Sequence, residues 1–436
     1  MGWSILLLLL LTLAILPIYY LYRVQLIQSP QPINSILPDC TLYTNRLSYQ
    51  IGDKIEVFAH SSTDFTINLY HLTTAKALIN SNSHQALVQS KKYHPKYGYD
   101  WQNNVEINTA ELKSGYYLIE ITNGMGIYEH PIVITPKKPI HKIALFAATN
   151  TWLAYNIQGG QSNYLDRNNH IIFKIPYKLM NKAVPVYLPY RRPIYEDLKT
   201  GKGSVRDFEN VNQSFSEAIK ARKEWPLLAF LYEEGYEFDV YTDADLAYNP
   251  ALLQYDTWIF NNHSEYWSDE MKGMLTAFQQ KEGKIIFATG NNLYRDVEFY
   301  NGGIKMVNQV ADKQTTTELT GTFFTEDGYL TMANYKIIAP NHLVFKGISS
   351  ETFGEKSLFI YNGQSGASGI ETDKINQHTN GFEIIAVGNN QSGPAHMVFK
   401  TNGKGFTFNA SSISFSSSVL VDEGSKTIFR NLLALN

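Results

Sequence analysis

The side chains best suited to chemistry follow apolar runs of the chain, at the points where those runs end. His263 and Glu265 come after TWIFN (257–261), and Asn291 comes after KIIFA (284–288). Because alternate residues of an extended chain point to the same side, the imidazole of His263 and the carboxylate of Glu265 are expected side by side. Such a pair can transfer protons, while the amide of Asn291 can orient a substrate or stabilise developing negative charge.

Another run, IALFA (143–147), is followed by two tyrosines, Tyr155 and Tyr164. Gly159 and Gly160 lie between them. Glycine allows the sharp turn that would bring the backbone back to the same place. The two phenols are therefore expected in one pocket.

Each of these features also has an ordinary explanation. Tyrosine is abundant, with 29 residues, so a given tyrosine is more often part of a core or a surface. An H-x-E pair can simply brace a turn; it also occurs in zinc deaminases, but those enzymes need a later P-C-x-x-C, and Cys40 is the only cysteine of this chain. Any metal must therefore be held by oxygen and nitrogen atoms. The occurrence of all the candidates at successive strand ends is what favours a functional pocket.

The elements that position these residues alternate between strands and helices, which predicts an α/β domain over residues 139–436. The helix from Pro226 to Glu234 precedes the strand FDVYT (238–242), and Ser268 caps a further helix. Repeated strand–helix–strand units imply a mostly parallel sheet, and ligands of such sheets bind beyond the carboxyl ends of the strands. Beyond about Tyr300 the last third is β-rich, and we expect it to complete or cover this core.

A separate unit comes before this domain. Runs such as KIEVFAH, FTINLYHL and GYYLIEIT alternate apolar and polar residues, which predicts an immunoglobulin-like β-sandwich over residues 41–138. No constellation of titratable groups occurs in it, so a spacer or docking role is expected. The net charge of -3 offers no basic face for phosphates, and nucleic-acid binding is not expected.

The amino terminus predicts membrane attachment. Residues 3–20 carry no charge and are long enough to cross a bilayer, so residues 1–24 are expected to form a transmembrane helix and residues 25–40 a stalk. A cleaved signal peptide is the alternative, but no basic residue precedes the apolar run and no small-residue cleavage site follows it. We expect a single-pass membrane protein whose folded part is periplasmic or otherwise extracytoplasmic.

Five ordered blocks carry a resemblance to a known family: TWLAYNIQGGQSNY (151–164), RRPIY (191–195), GYEFDVYTDADL (235–246), HSEYWS (263–268) and GNNLY (290–294). Their succession resembles the N,N-dimethylformamidase large (beta) subunit family in its C-terminal catalytic domain. The similarity extends back to LKSGYYLIEI and forward to GKGFTFNASSISFSSSVL. The resemblance implies an α/β domain similar to the class I glutamine amidotransferase fold.

The resemblance also implies a mononuclear iron held by two tyrosinates and one glutamate, which would be Tyr155, Tyr164 and Glu265. A free phenol has a pKa near ~10, but a trivalent cation strongly favours the phenolate, so tyrosine can bind ferric iron at neutral pH. On the same resemblance His263 and Asn291 would lie next to the metal ligands or position the substrate. Chemically, His263 could then move protons while Asn291 steadies the tetrahedral intermediate.

The expected function is a membrane-anchored, iron-dependent hydrolase of the carbon–nitrogen bond of a small amide. Arg192 is a candidate contact for an anionic part of the substrate, with a structural ion pair as the alternative. Zinc is the alternative metal, and a non-catalytic surface module that binds a glycan or a protein partner is the alternative function. Assembly into a homo-oligomer is left open.

Overall fold

The structure is a computed structural model. It describes residues 33–34, 37–156, 158–160, 162–163, 186–194, 219–361 and 363–435. The predicted anchor (1–24), most of the predicted stalk (25–40) and Tyr164 lie outside these ranges. Within them, no helix is both long and apolar enough to cross a membrane.

The first unit is built from strands. In chain order these are β1 (Ile33–Asn34), β2 (Thr41–Thr44), β3 (Ser48–Gln50), β4 (Lys54–His60), β5 (Phe65–Leu72), β6 (Lys76–His84), β7 (Lys92–His94), β8 (Gly98–Tyr99), β9 (Val105–Asn108), β10 (Gly115–Thr122) and β11 (Ile127–Thr135). Among the described residues, one sheet has the order β3-β11-β10-β5-β6, another has the order β2-β4-β9, and β1, β7 and β8 form a small third sheet. Side chains from the first two sheets, such as Val57 and Ile119, share one buried apolar cluster. The two sheets therefore pack face to face.

The second unit contains both helices and strands. Its helices are α1 (Thr149–Tyr155), α2 (Ile219–Glu233), α3 (Asp243–Tyr248), α4 (Asp269–Gln280), α5 (Lys313–Thr320), α6 (Phe415–Val421) and α7 (Glu423–Ala434), with 3₁₀ turns at Gln158–Gly160, Pro250–Gln254, Glu326–Gly328 and Leu343–Phe345. Its strands are β12 (Ile143–Ala147), β13 (Tyr187–Pro189), β14 (Phe238–Thr242), β15 (Thr257–Asn262), β16 (Tyr266–Trp267), β17 (Lys284–Thr289), β18 (Arg295–Tyr300), β19 (Gly303–Asn308), β20 (Phe323–Phe324), β21 (Met332–Ala333), β22 (Tyr335–Ile337), β23 (Thr352–Phe353), β24 (Ile360–Tyr361), β25 (Gln364–Ser365), β26 (Ser368–Gly369), β27 (Asp373–Lys374), β28 (Glu383–Gly388), β29 (His396–Asn402) and β30 (Gly405–Asn409).

The main sheet of this unit has the order β14-β12-β15-β17-β30-β29-β28-β22-β23 within the described residues. Neighbouring strands from β14 to β30 pair in parallel. From β30 to β23 the pairs are antiparallel. The main sheet is therefore mixed.

The predicted fold class is wrong. Among the described residues strands make up 39% and helices 22%, with mixed sheets. The chain is thus not an α/β protein with a mostly parallel, glutamine amidotransferase-like sheet, and no membrane-crossing helix precedes the sandwich in the part that the structure describes. The physical reason is that the late alternating runs, such as EIIAV and HMVF, pair as hairpins and lengthen the same sheet instead of covering it.

The strands and the helix start that position His263, Glu265 and Asn291 agree with their predictions. IALFA forms β12, while β15 and β17 each run one residue beyond the predicted strand. Ser268 caps helix α4, and its side chain accepts a hydrogen bond from Met271 N. Helix α2 differs, because it begins at Ile219 and contains Pro226 in its interior.

Strands β12, β15 and β17 are buried on both faces. Phe146 stacks on Phe260, and Phe260 stacks on Phe287, with ring centroids 4.9 Å and 4.8 Å apart. On the opposite face Ile259 and Ile286 belong to a different buried cluster. Close packing on both faces fixes these strands relative to one another, so residues that follow their carboxyl ends are held at one edge of the sheet.

Candidate active site

Tyr155 is the last residue of helix α1, which starts almost immediately after β12. The start of α1 is fixed because Asn150 N donates to Asp243 Oδ2 at 2.7 Å. At the other end, the Tyr155 ring contacts His263 and Tyr266 edge-on, with centroids 5.8 Å and 6.4 Å apart. Helix α1 therefore directs the phenol of Tyr155 towards the residues that follow β15.

The turn that carries His263 and Glu265 is held by one hydroxyl of helix α1. Asn262 ends β15 with a φ of 62°, a left-handed conformation that asparagine adopts more readily than most residues. Thr151 Oγ1 donates to the carbonyl oxygen of His263 at 2.9 Å and accepts from Glu265 N at 3.4 Å. Thr151 thereby fixes the backbone on both sides of the turn.

Glu265 contacts Tyr155 through one oxygen and Arg295 through the other. Tyr155 Oη donates to Glu265 Oε2 at 3.2 Å, and Arg295 Nε donates to Oε1 at 2.8 Å. Burial alone would raise the pKa of Glu265, but the positive charge of Arg295 and the contact with His263 together lower it to about 2. The carboxylate is therefore ionised at neutral pH although it is only 1% exposed.

His263 lies between two carboxylates. Its Nε2 is 3.1 Å from Glu265 Oε2 and 3.5 Å from Glu371 Oε2. In the described part of the chain this buried nitrogen nevertheless makes no hydrogen bond. A buried nitrogen without a hydrogen-bond partner is costly, and a catalytic role or a bound molecule is one explanation for such an atom.

Asn291, just after β17, donates hydrogen bonds to two acidic residues, Glu371 and Asp373. Its Nδ2 donates to Glu371 Oε2 at 2.7 Å, and its backbone N donates to Asp373 Oδ1 at 2.8 Å. Gly290 permits this approach, because a Cβ there would lie 2.6 Å from both Glu371 O and Ile413 N. Asn291 Oδ1 is buried and has no hydrogen-bond partner among the described residues. The oxygen is thus available to accept a hydrogen bond from a bound molecule.

Glu371, Asp373 and Arg295 were not identified from the sequence. Glu371 and Asp373 are two apart, the same spacing that singled out His263 and Glu265, and this spacing is the signal that could have found them. They lie in the β-rich last third, where no apolar strand of the predicted kind precedes them. Arg295 is the first residue of β18, and its backbone N also donates to Glu265 O at 3.0 Å.

The two remaining predicted site residues are Tyr164 and Arg192. Tyr164 lies outside the described residues. Arg192 is fully buried; its Nη1 donates to Gln158 O at 3.0 Å and its Nη2 to Leu153 O at 2.9 Å. The structure therefore brings together Tyr155, His263, Glu265 and Asn291, while these two bonds of Arg192 go to backbone on either side of Tyr155.

The acidic and imidazole groups do not by themselves form a metal site. In the described ranges no group of three or more His, Cys, Asp or Glu side chains is arranged to hold a metal ion. The predicted ligand set depends on phenols as well, and one of its members, Tyr164, is outside those ranges. Iron, the small amide partner and the extracytoplasmic location stay predictions.

Buried ionisable side chains that meet at the carboxyl ends of parallel strands are typical of an enzyme active site. Residues 68–425 match the model of the family described as N,N-dimethylformamidase beta subunit-like, C-terminal. The chain belongs to this family, as its sequence blocks predicted. The family suggests hydrolysis of an amide.

A crystal structure of a ThuA-like protein from Bacteroides uniformis is similar over 49% of this chain and 82% of that chain, with 11% sequence identity and a TM-score of 0.34. A likeness this weak carries no argument about function. No curated protein matches the chain.

Proposed function

We propose that this chain hydrolyses the carbon–nitrogen bond of an amide, with a metal ion held in part by Tyr155 and Glu265. The observation that carries the proposal is the distance of 3.2 Å between Tyr155 Oη and Glu265 Oε2, two buried oxygens from distant parts of the chain. Oxygens this close can share one cation. Family membership supports the amide as substrate class.

The residues fit a hard cation such as ferric iron. Phenolate and carboxylate are hard oxygen ligands, and Glu265 is already ionised because its pKa is about 2. Arg295 takes up Oε1 of that carboxylate and leaves Oε2 facing the phenol. Tyr164 is the third ligand by family resemblance. When bound, the ion would polarise the amide carbonyl and lower the pKa of a water molecule.

His263 is placed to move the proton. Hydrolysis requires that water add to the carbonyl carbon and lose a proton, and that the nitrogen gain a proton as the C–N bond breaks. His263 Nε2 lies 3.1 Å from Glu265 Oε2 and 3.5 Å from Glu371 Oε2, and it can accept the proton from the water and return it to the nitrogen. The products are a carboxylic acid and an amine.

Asn291 orients the reactants. Its Nδ2 is fixed by Glu371, which leaves Oδ1 to accept a hydrogen bond from the water or from a substrate N–H. The second hydrogen of Nδ2 can stabilise negative charge on the carbonyl oxygen. Glu371 therefore acts both on His263 and on the orientation of Asn291.

Metal analysis of the purified full chain tests the proposal. After iron-supplemented expression we expect bound iron, a visible tyrosinate-to-iron charge-transfer band, and release of amine from small amides. Tyr155→Phe and Glu265→Gln should each weaken iron binding by at least about tenfold. Tyr335→Phe is the matched control, because it removes a buried hydroxyl that donates to the backbone oxygen of Ala410, just after β30.

A colourless wild-type protein without metal would contradict the proposal, as would a Tyr155→Phe variant that retains iron and activity. Zinc in place of iron, with amide hydrolysis retained, would keep the reaction and revise the metal.

A further inference from the structure

A hairpin of the first unit lies against the segment that follows Tyr155. It consists of β7 and β8, which pair antiparallel, and we call it the tyrosine hairpin (residues 92–99). We propose that the tyrosine hairpin positions Tyr155, so that the first unit is part of the active site and not only a spacer. The inference rests on the proposed function in so far as it assigns Tyr155 to the metal.

The first contact is between Tyr93 and Gly159. Gly159 has a φ of 81°, which glycine adopts at little cost. A Cβ at this position would lie 2.5 Å from Tyr93 Cζ, much closer than real side chains approach one another. Tyr93 is completely buried. Its ring therefore occupies the space of a side chain at position 159 and limits where the backbone after Tyr155 can go.

The second contact is a hydrogen bond from Gln158 Nε2 to Tyr99 Oη, 2.8 Å long. Tyr99 is itself fixed, because its backbone N donates to Arg191 O at 2.8 Å. Gly98 lies so close to the same carbonyl that a Cβ there would be 2.1 Å from Arg191 O. The hairpin thus contacts both Gln158 and the short segment 190–194.

Arg192 connects these contacts to the helix that carries the phenol. Its guanidinium donates to Leu153 O, two residues before Tyr155, and to Gln158 O, three residues after it. A planar guanidinium with two such bonds holds both carbonyls in one geometry. Movement of Gln158 is therefore transmitted to the end of helix α1.

Asn156 completes the connection next to Tyr155. Its Nδ2 donates to Pro193 O at 2.9 Å, and its Oδ1 accepts from Gln158 N at 3.0 Å. Asn156, directly after Tyr155, is thus held by segment 190–194, which the tyrosine hairpin also contacts.

These contacts make Tyr93 and Tyr99 positioning residues. Neither tyrosine is among the predicted ligands, but both hold the backbone from which the Tyr155 phenol projects. Because a displacement of 1 Å at a reacting group can cost about 100-fold in rate, loss of one contact should be measurable at the site. A spacer would have no such effect.

Tyr99→Phe in the full chain is the direct test, because it keeps the ring and removes the acceptor of Gln158. Tyr117→Phe is the matched control, since its hydroxyl donates to Lys113 O within the first unit at 3.0 Å. Hydrogen–deuterium exchange of peptides covering residues 150–163 is measured on metal-free protein. We expect exchange roughly fivefold faster in Tyr99→Phe than in wild type, and unchanged in Tyr117→Phe. With iron added, the charge-transfer band should shift and kcat should fall about tenfold with little change in KM.

Gly159→Ala provides a second variant, which should disturb the same peptides and the same band because the methyl group meets Tyr93. If the wild type binds no iron but Tyr99→Phe still accelerates exchange, the proposed function fails and the positioning of the segment stands. If the wild type binds iron and Tyr99→Phe matches Tyr117→Phe in exchange, band position and kcat, the inference is overturned.

Discussion

Tyr116 and Glu224 share a hydrogen bond across the boundary between the two units. The hydroxyl of Tyr116, on β10, donates to Glu224 Oε2 at 2.5 Å, and Trp152 Nε1 donates to Oε1 at 2.8 Å. All three side chains are buried. Burial raises the pKa of Glu224 to about 8, although the hydrogen bonds from Tyr116 and Trp152 oppose the shift. The group is therefore held in its neutral form at neutral pH.

The first prediction is that Glu224→Gln changes how the free energy of unfolding depends on pH. Because the pKa is about 8 in the folded state and near the ordinary value of 4.5 when unfolded, the folded protein binds the additional proton between these values. The free energy of unfolding should thus be highest below the unfolded pKa and fall as pH rises towards 8. Glutamine cannot titrate, so the free energy of unfolding of the variant should fall less steeply with rising pH. The slopes for wild type and variant should differ by roughly 1 kcal/mol per pH unit. Urea unfolding from about pH 5 to about pH 8 measures the difference; parallel curves for the two proteins would contradict it.

The second prediction concerns the hydroxyl that holds the turn before Glu265. Thr151→Val keeps the shape of the side chain but removes its bonds to His263 O and Glu265 N. We expect a loss of about 1–3 kcal/mol in the free energy of unfolding and a decrease of about tenfold in kcat. Thr276→Val is the control, because that hydroxyl donates to Lys272 O within helix α4. Equal kcat values in the two variants would show that Thr151 has no positioning role.

The third prediction separates charge from hydrogen bonding at Asp373. Asp373→Ala leaves the backbone N of Asn291 without its acceptor, whereas Asp373→Asn keeps an oxygen in that place. Burial raises the pKa of Asp373 to about 7, so a neutral side chain suits the site. We expect the alanine variant to lose about 10–100-fold in kcat and the asparagine variant to stay near wild type. Amide hydrolysis by the two proteins is the measurement.

Asp312→Ala is the control for this series, because Asp312 caps helix α5 at an exposed position. It should lower stability by about 1 kcal/mol without changing kcat. An asparagine variant of Asp373 as impaired as the alanine variant would show that the negative charge, and not the hydrogen bond, is required.

The fourth prediction concerns the contact of Gly159 with Tyr93. Gly159→Ala should cost more than the roughly 1–2 kcal/mol expected for a left-handed alanine, because the methyl group also meets the Tyr93 ring. In a Tyr93→Ala background the added cost of Gly159→Ala should decrease. Unfolding free energies of the double-mutant cycle measure this coupling. Additive effects of the two substitutions would show that the ring and the glycine are not in contact.

Much of the local structure could be predicted from the sequence, and the sheet arrangement could not. Buried runs such as IALFA and KIIFA identify strands, and Ser268 identifies a helix start, because these signals depend on near neighbours in the chain. Which sheet a strand joins depends on partners far away in sequence. The alternating runs EIIAV and HMVF, which form β28 and β29, therefore do not reveal that these strands join the parallel part of the main sheet through β30 and make the sheet mixed.

Some residues of the candidate site could also be predicted from the sequence, and others could not. Tyr155, His263, Glu265 and Asn291 could be proposed because each follows a strong strand signal. Glu371 comes between strands of two residues each, which leave almost no trace of periodicity. The sequence places the tyrosines of the hairpin only within the predicted sandwich (41–138), because a buried aromatic looks the same in sequence whether it supports its own core or a neighbouring one.

The contacts between the first and second units imply that neither unit can be removed without disturbing the other. A fragment that starts at residue 139 would leave Glu224 without the hydroxyl of Tyr116, and would leave Gly159 and Gln158 facing water. Such a fragment should express poorly or lose its activity even though every proposed ligand is retained. We therefore expect the first and second units to occur together in one chain. Replacing the first unit by a domain from an unrelated protein should impair the second unit.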